Sequence, residues 1–244
     1  MMKTVLITGG TGGIGTALVK AFVNESYHAF VTHTHKTKET LDSWLSENEL
    51  SSNDITFLPL NLKNRNEVEL QLSALLEKSN VDVLINNAGI TSDSTFLKMK
   101  PEQWDNVINT NLTSLFSVTQ PIARSMVENG FGRIINISSI NGLKGQFGQC
   151  NYAAAKAGII GFSKSLAQEL ALKGVTVNVI APGYTMTPMV ESMREDILEK
   201  IKGNIPTKQL VLLDDLAKAA LMIAESGMSL TGETISVNGG QYMC

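Results

Sequence analysis

Val5-Leu6-Ile7-Thr8-Gly9-Gly10-Thr11-Gly12-Gly13-Ile14-Gly15-Thr16-Ala17-Leu18-Val19-Lys20-Ala21-Phe22 sets three patterns end to end: an apolar run of strand length, five glycines in seven positions, and a run of helical length. Glycine here permits a tight turn, lets backbone approach a pyrophosphate and lets the helix pack close to the sheet. The helix N-terminus then offers free N–H groups to the anion. Strand, glycine turn and helix in this order are the context a dinucleotide site requires. Gly9, Thr11, Gly12, Gly13, Ile14 and Gly15 are the residues expected to form it.

Outward from this unit, short β-branched apolar runs alternate with amphipathic stretches of helical length, as in βα units winding a parallel sheet. Strands are expected at 4–8, 29–32, 56–60, 83–86, 133–137, 176–181 and 234–237. Val83-Leu84-Ile85 is apolar without alternation, which suits a strand covered on both faces. Helices are clearest over 101–127 and 152–172; Pro101 suits a first helical turn, and Pro121 is expected to kink or break its helix. The expected fold is α/β, a single-domain Rossmann-type doubly wound parallel sheet of about seven strands with helices on both faces, spanning 1–244. No repeat or low-complexity tract divides it. The segments 91–98 and 183–206 are expected to be mobile, the second long enough to serve as a substrate lid.

Hydrophobic residues at 43% supply a core without disulfides or metals, and a net charge of −3 leaves no basic excess for nucleic acid. The first residues turn polar and glycine-rich too soon for a signal h-region or a membrane span. Cys150 and Cys244 make no disulfide framework and have no cysteine or histidine at metal-ligand spacing, so a cytoplasmic location and no metal are expected. Cys150 reads as a packing residue.

A dinucleotide site usually carries Asp or Glu at the end of the second strand to hold the ribose 2′-OH. This chain reads Thr32-His33-Thr34-His35-Lys36-Thr37-Lys38 there, with no carboxylate before Glu39. An acid would repel a 2′-phosphate, whereas hydroxyls, Lys36 or Lys38 would welcome it, so NADPH/NADP+ is expected over NAD.

Tyr152 and Lys156 stand four apart near the start of a predicted helix, so both project from one face. A lysine ammonium beside a tyrosine stabilises the phenolate and is expected to lower its pKa. The spacing alone is common on helices. It gains meaning from Ile134-Ile135-Asn136-Ile137-Ser138-Ser139, a buried strand ending in hydroxyls where ligands of open α/β sheets bind. Ser139 can there hold a carbonyl oxygen by a hydrogen bond.

Over its full length the chain resembles the short-chain dehydrogenase/reductases. Thr8-Gly9-x-x-x-Gly13-Ile14-Gly15 is similar to the family's cofactor turn, Asn86-Asn87-Ala88-Gly89 to its motif after the fourth strand, and Ser139 with Tyr152-x-x-x-Lys156 to its active site. Asn111, in Asn109-Thr110-Asn111-Leu112, stands where the family has its fourth catalytic residue. Pro182-Gly183 resembles the turn after the sixth strand, with Thr185 and Thr187 at cofactor-facing positions. The resemblance implies that Tyr152 protonates a carbonyl oxygen as hydride arrives and that Ser139 polarises that oxygen. It implies that Lys156 lowers the tyrosine pKa and binds the nicotinamide ribose, and that Asn111 holds a relay water. It adds His33, Asn61, Leu62, Asn87, Ala88 and Gly89 to the cofactor set, although many relatives have an acid where Asn61 and Leu62 stand. Pro188 also departs from a residue that is often acidic in the carrier-protein reductases.

Within the family the resemblance is greatest to the acetoacetyl-CoA reductases of polyhydroxybutyrate synthesis, and next to the 3-oxoacyl-carrier-protein reductases. It implies a short acyl thioester as substrate, on CoA or on acyl carrier protein, with Gln146, Phe147, Gln149 and Tyr184 beside Ser139 at the pocket mouth. Amide groups can hydrogen-bond the thioester or 3-oxo oxygen, and the aromatic rings suit a four-carbon chain. Lys98, Lys100 and Lys144 would serve CoA phosphates or an acidic carrier equally. Two further readings are a non-catalytic dinucleotide-binding protein, which would have lost the acid–base pair, and a sugar or steroid dehydrogenase. The two long helices and the apolar C-terminus, 241–244, resemble those that pack in family homotetramers.

Overall fold

A computed structural model of the chain describes residues 2–34, 36–187, 190 and 193–243. Seven strands form one sheet: β1 (Thr4–Ile7), β2 (His28–His33), β3 (Ile55–Pro59), β4 (Val83–Asn86), β5 (Gly132–Ile137), β6 (Val175–Pro182) and β7 (Thr234–Val237). Their order is β3-β2-β1-β4-β5-β6-β7 and every pairing is parallel. The chain winds outward from β1 to β3, then crosses back beside β1 at β4 and winds the other way. The crevice for a ligand opens where the direction reverses, above the ends of β1 and β4.

Side chains along β1 divide between two cores, as a period of two requires. Val5 and Ile7 pack with Leu18 and Phe22 of α1 (Gly13–Asn24) and with Ile223 of the helix Leu213–Glu225. Leu6, with Leu84 and Ile134, packs on the opposite face against Val68 and Leu72 of the helix Arg65–Leu76 and Ile122 and Met126 of the helix Ser114–Asn129. Both faces are therefore covered, and the uninterrupted apolar strands are explained. No helix among the described residues is long and apolar enough to cross a membrane.

The helices bounded within the described residues are, in chain order, α1, α2 (Lys38–Glu47), α3 (Arg65–Leu76), α4 (Pro101–Ile108), α5 (Ser114–Asn129), α6 (Ile140–Lys144), α7 (Cys150–Leu170), α8 (Glu195–Gly203) and α9 (Leu213–Glu225). Pro101 opens α4, as expected. The break expected at Pro121 lies elsewhere: α5 runs through that residue, and a wide π turn, Asn109–Thr113, separates it from α4. Proline costs one intrahelical bond, and the burial of Val118, Ile122 and Met126 around it holds the helix in place. The π turn is instead a local widening of the kind often found at functional sites, and it carries the buried Asn111.

Below the crevice a buried polar chain joins sheet to helices. Asn86 Nδ2 donates to Thr119 Oγ1 of α5 at 3.0 Å and to Asn136 Oδ1 at 2.8 Å; Asn136 Nδ2 donates to Ser163 Oγ of α7 at 2.8 Å. Asn86 and Asn136 are register partners on β4 and β5, so the pair fixes how α5 and α7 seat on the sheet. Asn136→Ala removes one buried hydrogen-bond partner from each of Asn86 and Ser163, which keep Thr119 and the Ile159 carbonyl, and should cost about 2 kcal/mol. Thermal unfolding should show Tm lower by roughly 4–8 °C.

Candidate active site

The first strand delivers the chain into its glycine turn beside the end of β4, and hydrogen bonds tie the two together. Thr8 Oγ1 accepts from the backbone N–H of Asn87 and of Ala88, each at 3.0 Å. Asn87 Nδ2 donates back to the carbonyls of Thr8 at 3.0 Å and Gly9 at 3.2 Å. Gly9, at φ +63°, lies so close to this loop that a Cβ would stand 3.1 Å from the Cα of Ala88. A Cβ on Gly15 would run into the Gly9 carbonyl oxygen, so α1 starts hard against the turn. The first helical bond is Thr16 N–H to Gly12 O, and no side chain caps the helix. The N–H groups of Gly13, Ile14 and Gly15 precede that bond, and no acid stands in the first turn. This cradle, with Thr11 and the exposed Gly12 at its lip, fits a pyrophosphate.

At the end of β2 the structure divides the expected 2′-phosphate contacts. Thr32 Oγ1 is spent on the Gly9 N–H at 3.0 Å, and Thr34 Oγ1 donates to the Leu60 carbonyl at 3.3 Å. His33 is buried edge-on to Phe57 with its Nδ1 unpartnered; burial first, and Lys36 second, pull its pKa down, so the ring is neutral at pH 7. Positive charge at this corner comes from Lys36 and Lys38, while His35 lies outside the described residues. Asn61 Oδ1 accepts the Lys63 N–H at 3.2 Å, which shapes the turn after β3, and Leu62 lines a small cavity with Thr8, Ala88 and Asn111.

Ser139, Tyr152 and Lys156 converge at the end of β5. Ser139 caps α6: its Oγ accepts the Asn141 N–H at 3.1 Å, which leaves the hydroxyl hydrogen free to donate. Lys156 is buried, with Nζ 5.6 Å from the centre of the Tyr152 ring and donating to the Ile137 carbonyl at 2.8 Å. Burial pulls that ammonium down to about 8. The Tyr152 phenol moves up, driven by burial, against a downward pull from the Ser139 hydroxyl, with Asp93 adding to the rise. The lowering expected from Lys156 does not figure in this balance: burial, which penalises the phenolate, sets the direction, and the opposing pull comes from Ser139. Asn111 uses both ends of its amide on Ile90, accepting from its N–H at 2.8 Å and donating to its carbonyl at 2.9 Å. It fastens the 87–90 loop; a Cβ on Gly89 would stand 3.4 Å from both Asn111 Oδ1 and Lys156 Nζ. These two groups therefore face one spot on the crevice floor.

The substrate-side residues are less uniform. Phe147 is 87% exposed, and Gln146 Oε1 accepts from Lys144 Nζ at 3.1 Å. Gln149 has both amide ends engaged, with Asp93 and Asn141, so it braces the site instead of offering a free amide. Tyr184 is half-buried and its carbonyl accepts from Val211. Pro182 ends β6, Gly183 donates to Val237 O, and the buried Thr185 hydroxyl donates to Gly183 O at 3.0 Å. Thr187 is half-buried next to it, while Pro188 lies outside the described residues. The 91–98 segment, expected to be mobile, is bound to the start of α7 through Ser92, Asp93 and Ser94. Part of that binding is Asn151, which the sequence reading missed. Fully buried, it donates to the carbonyls of Ser92 at 3.0 Å and Gln103 at 3.1 Å while accepting the Tyr152 N–H. Its place next to the tyrosine was the available signal. Among the described residues no cluster could hold a metal.

A family model for short chain dehydrogenase matches residues 3–198. The chain belongs to the short-chain dehydrogenase family. It is accordingly an oxidoreductase that binds a nicotinamide dinucleotide. The chain is 47% identical to an acetoacetyl-CoA reductase of Acinetobacter sp. (strain RA3849) over 243 residues, 99% of this chain and 98% of the relative. It is 45% identical to the acetoacetyl-CoA reductase of Cupriavidus necator, again over 99% of this chain and 98% of the relative. A 3-oxoacyl-[acyl-carrier-protein] reductase of Haemophilus influenzae is 39% identical over 99% of this chain and 98% of its own length. Gly15→Ala should weaken dinucleotide binding by about tenfold or more, since the displaced turn misaligns N–H groups from the anion. Quenching of protein fluorescence on cofactor titration measures this.

Proposed function

We propose that the protein uses NADPH to reduce the 3-oxo group of a short acyl thioester, acetoacetyl-CoA to (R)-3-hydroxybutanoyl-CoA being the first choice. The convergence of Ser139, Tyr152 and Lys156 on the crevice beside the glycine turn carries this reading, and the full-length likeness to acetoacetyl-CoA reductases supports the substrate. A nicotinamide dinucleotide held at the glycine turn would supply the hydride that the carbonyl carbon takes up. Ser139 donates its free hydroxyl hydrogen to the carbonyl oxygen, and Tyr152 gives that oxygen its proton as negative charge gathers there. Lys156 holds the ribose and stabilises the tyrosinate left behind; Asn111 keeps the Ala88-Gly89 floor in place and, with Lys156, borders the path of proton return. Of the residues matched to the acyl thioester, Phe147 and Tyr184 wall the mouth and Gln146 offers its amide, while Gln149 acts through the residues it braces.

NADPH is favoured over NADH because no carboxylate stands at the end of β2 and Lys36 lies near enough to depress His33. Lys36→Ala with Lys38→Ala should raise the NADPH Kd about tenfold and leave that for NADH unchanged, which isothermal titration distinguishes. A lysine-bearing mouth and the 39% relative favour one second reading, a carrier-protein substrate. Comparing kcat/KM on acetoacetyl-CoA and on an acetoacetyl carrier protein decides: a strong preference for the carrier overturns the first choice. Tyr152→Phe should abolish turnover of both. The 183–206 segment, with α8 within it, is proposed as the substrate lid. A homotetramer in the cytoplasm is the expected form, with Trp104 and Phe116 exposed on α4 and α5; Cys244 at the C-terminus lies outside the described residues.

The pH dependence follows from two shifts of opposite sign. A raised tyrosine stays protonated through neutrality, so the proton donor is intact there. Lys156, lowered to about 8, loses its ammonium as pH rises through that value. The rate of reduction should be flat below pH 8 and fall above it, read from the profile of kcat/KM.

A further inference from the structure

Asp93 lies on the exposed loop after β4, outside the catalytic set, yet it begins a hydrogen-bond chain that ends on Ser139. Gln149 Nε2 donates to Asp93 Oδ2 at 2.8 Å, Asn141 Nδ2 donates to Gln149 Oε1 at 2.9 Å, and the Asn141 N–H donates to Ser139 Oγ at 3.1 Å. An ionised carboxylate only accepts. It therefore turns the Gln149 NH2 toward itself and the Gln149 oxygen toward Asn141, which must answer with its own NH2. The orientation of Asn141 is imposed, and its other end shows the cost: Asn141 Oδ1 is buried with no partner.

The chain also spans the elements that carry the chemistry. Gln149 stands just before the first residue of α7, three residues before Tyr152, and Asn141 sits in the first turn of α6, which Ser139 caps. The Asn141–Gln149 bond thus sets the spacing of the two helix starts, and the Ser94 N–H to Gly148 O bond at 2.9 Å holds Asp93's loop against the same segment. We propose that Asp93 is a positioning residue for Ser139: through Gln149 and Asn141 it fixes the α6 turn whose N–H occupies the serine oxygen, leaving the hydroxyl hydrogen aimed at the substrate carbonyl. This rests on the reading of Ser139 as the group that holds that carbonyl.

The test measures acetoacetyl-CoA reduction by Asp93→Asn, Asp93→Ala and Asp93→Glu, and by Asp93→Asn combined with Ser139→Ala. Asn at 93 can donate as well as accept, so it no longer dictates which way Gln149 faces. Asp93→Asn and Asp93→Ala should lower kcat about five- to tenfold with the NADPH Kd unchanged, and Asp93→Glu should restore about half of the wild-type rate. On the Ser139→Ala background Asp93→Asn should cost less than about twofold, because the group it positions is gone. A full further loss on that background, or a wild-type kcat for Asp93→Asn, overturns the proposal. Wild-type kcat for Ser139→Ala removes the serine role and the proposal with it; a crippled Ser139→Ala beside an unimpaired Asp93→Asn removes only the proposal.

Discussion

Two backbone N–H groups, of Asn87 and Ala88, meet on the Thr8 hydroxyl, and the architecture above the sheet hangs from that point. At the reversal of strand order, the chains leaving β1 and β4 turn to opposite faces of the sheet and would part. A parallel sheet offers no further ladder bonds past its strand ends, so unpaired N–H groups there need another acceptor. Thr8 supplies one for two donors, and Asn87 answers with donations to Thr8 and Gly9. Gly9 can then sit against Ala88, and α1 starts beside the crevice with its first N–H groups facing it. A serine could make the same bonds; an alanine or valine at this position would leave both donors stranded.

The parts of the fold legible in the sequence are those governed by local period. Strands β4 and β7 agree with the sequence reading at both ends, and the others differ by a residue or so, because β-branched runs bounded by glycine and polar residues are short-range signals. The glycine turn was likewise readable from its place between strand and helix, whereas the Tyr152–Lys156 spacing drew its meaning from the strand that ends at Ser139. Of the kink or break expected at Pro121, the break is absent because the burial of Val118, Ile122 and Met126 overrides the local penalty. The Asn86–Asn136 pair, Asn151 and the clamp on 91–98 depend on partners dozens of residues away, and a buried asparagine in a sequence looks like any other.

The same non-locality explains why direction of shift at Tyr152 differs from the sequence expectation. Spacing on a helix speaks only of Lys156, whereas the environment of the phenol is set by α6, the β4 loop and the sheet end together. Burial raises the tyrosine and lowers the lysine, so each charged form is disfavoured at rest. A proton donor that stays neutral until charge develops on its acceptor is suited to reduction, and an ammonium held against a backbone carbonyl stands ready to compensate that charge.

This division also locates where substrate choice can reside. Ser139, Tyr152, Lys156 and Asn111 are buried or half-buried and braced by neighbours, so a substitution at any of them disturbs the packing around it. Phe147, Phe96 and Leu97 stand mostly exposed, on two segments joined by the Ser94–Gly148 and Asp93–Gln149 bonds. A rigid base with solvent-facing side chains lets the apolar rim change without moving the chemistry beneath it. On the proposed function, a CoA thioester and a carrier-protein thioester would meet the same floor, and a choice between them would fall to these rim positions and the lysines beside them.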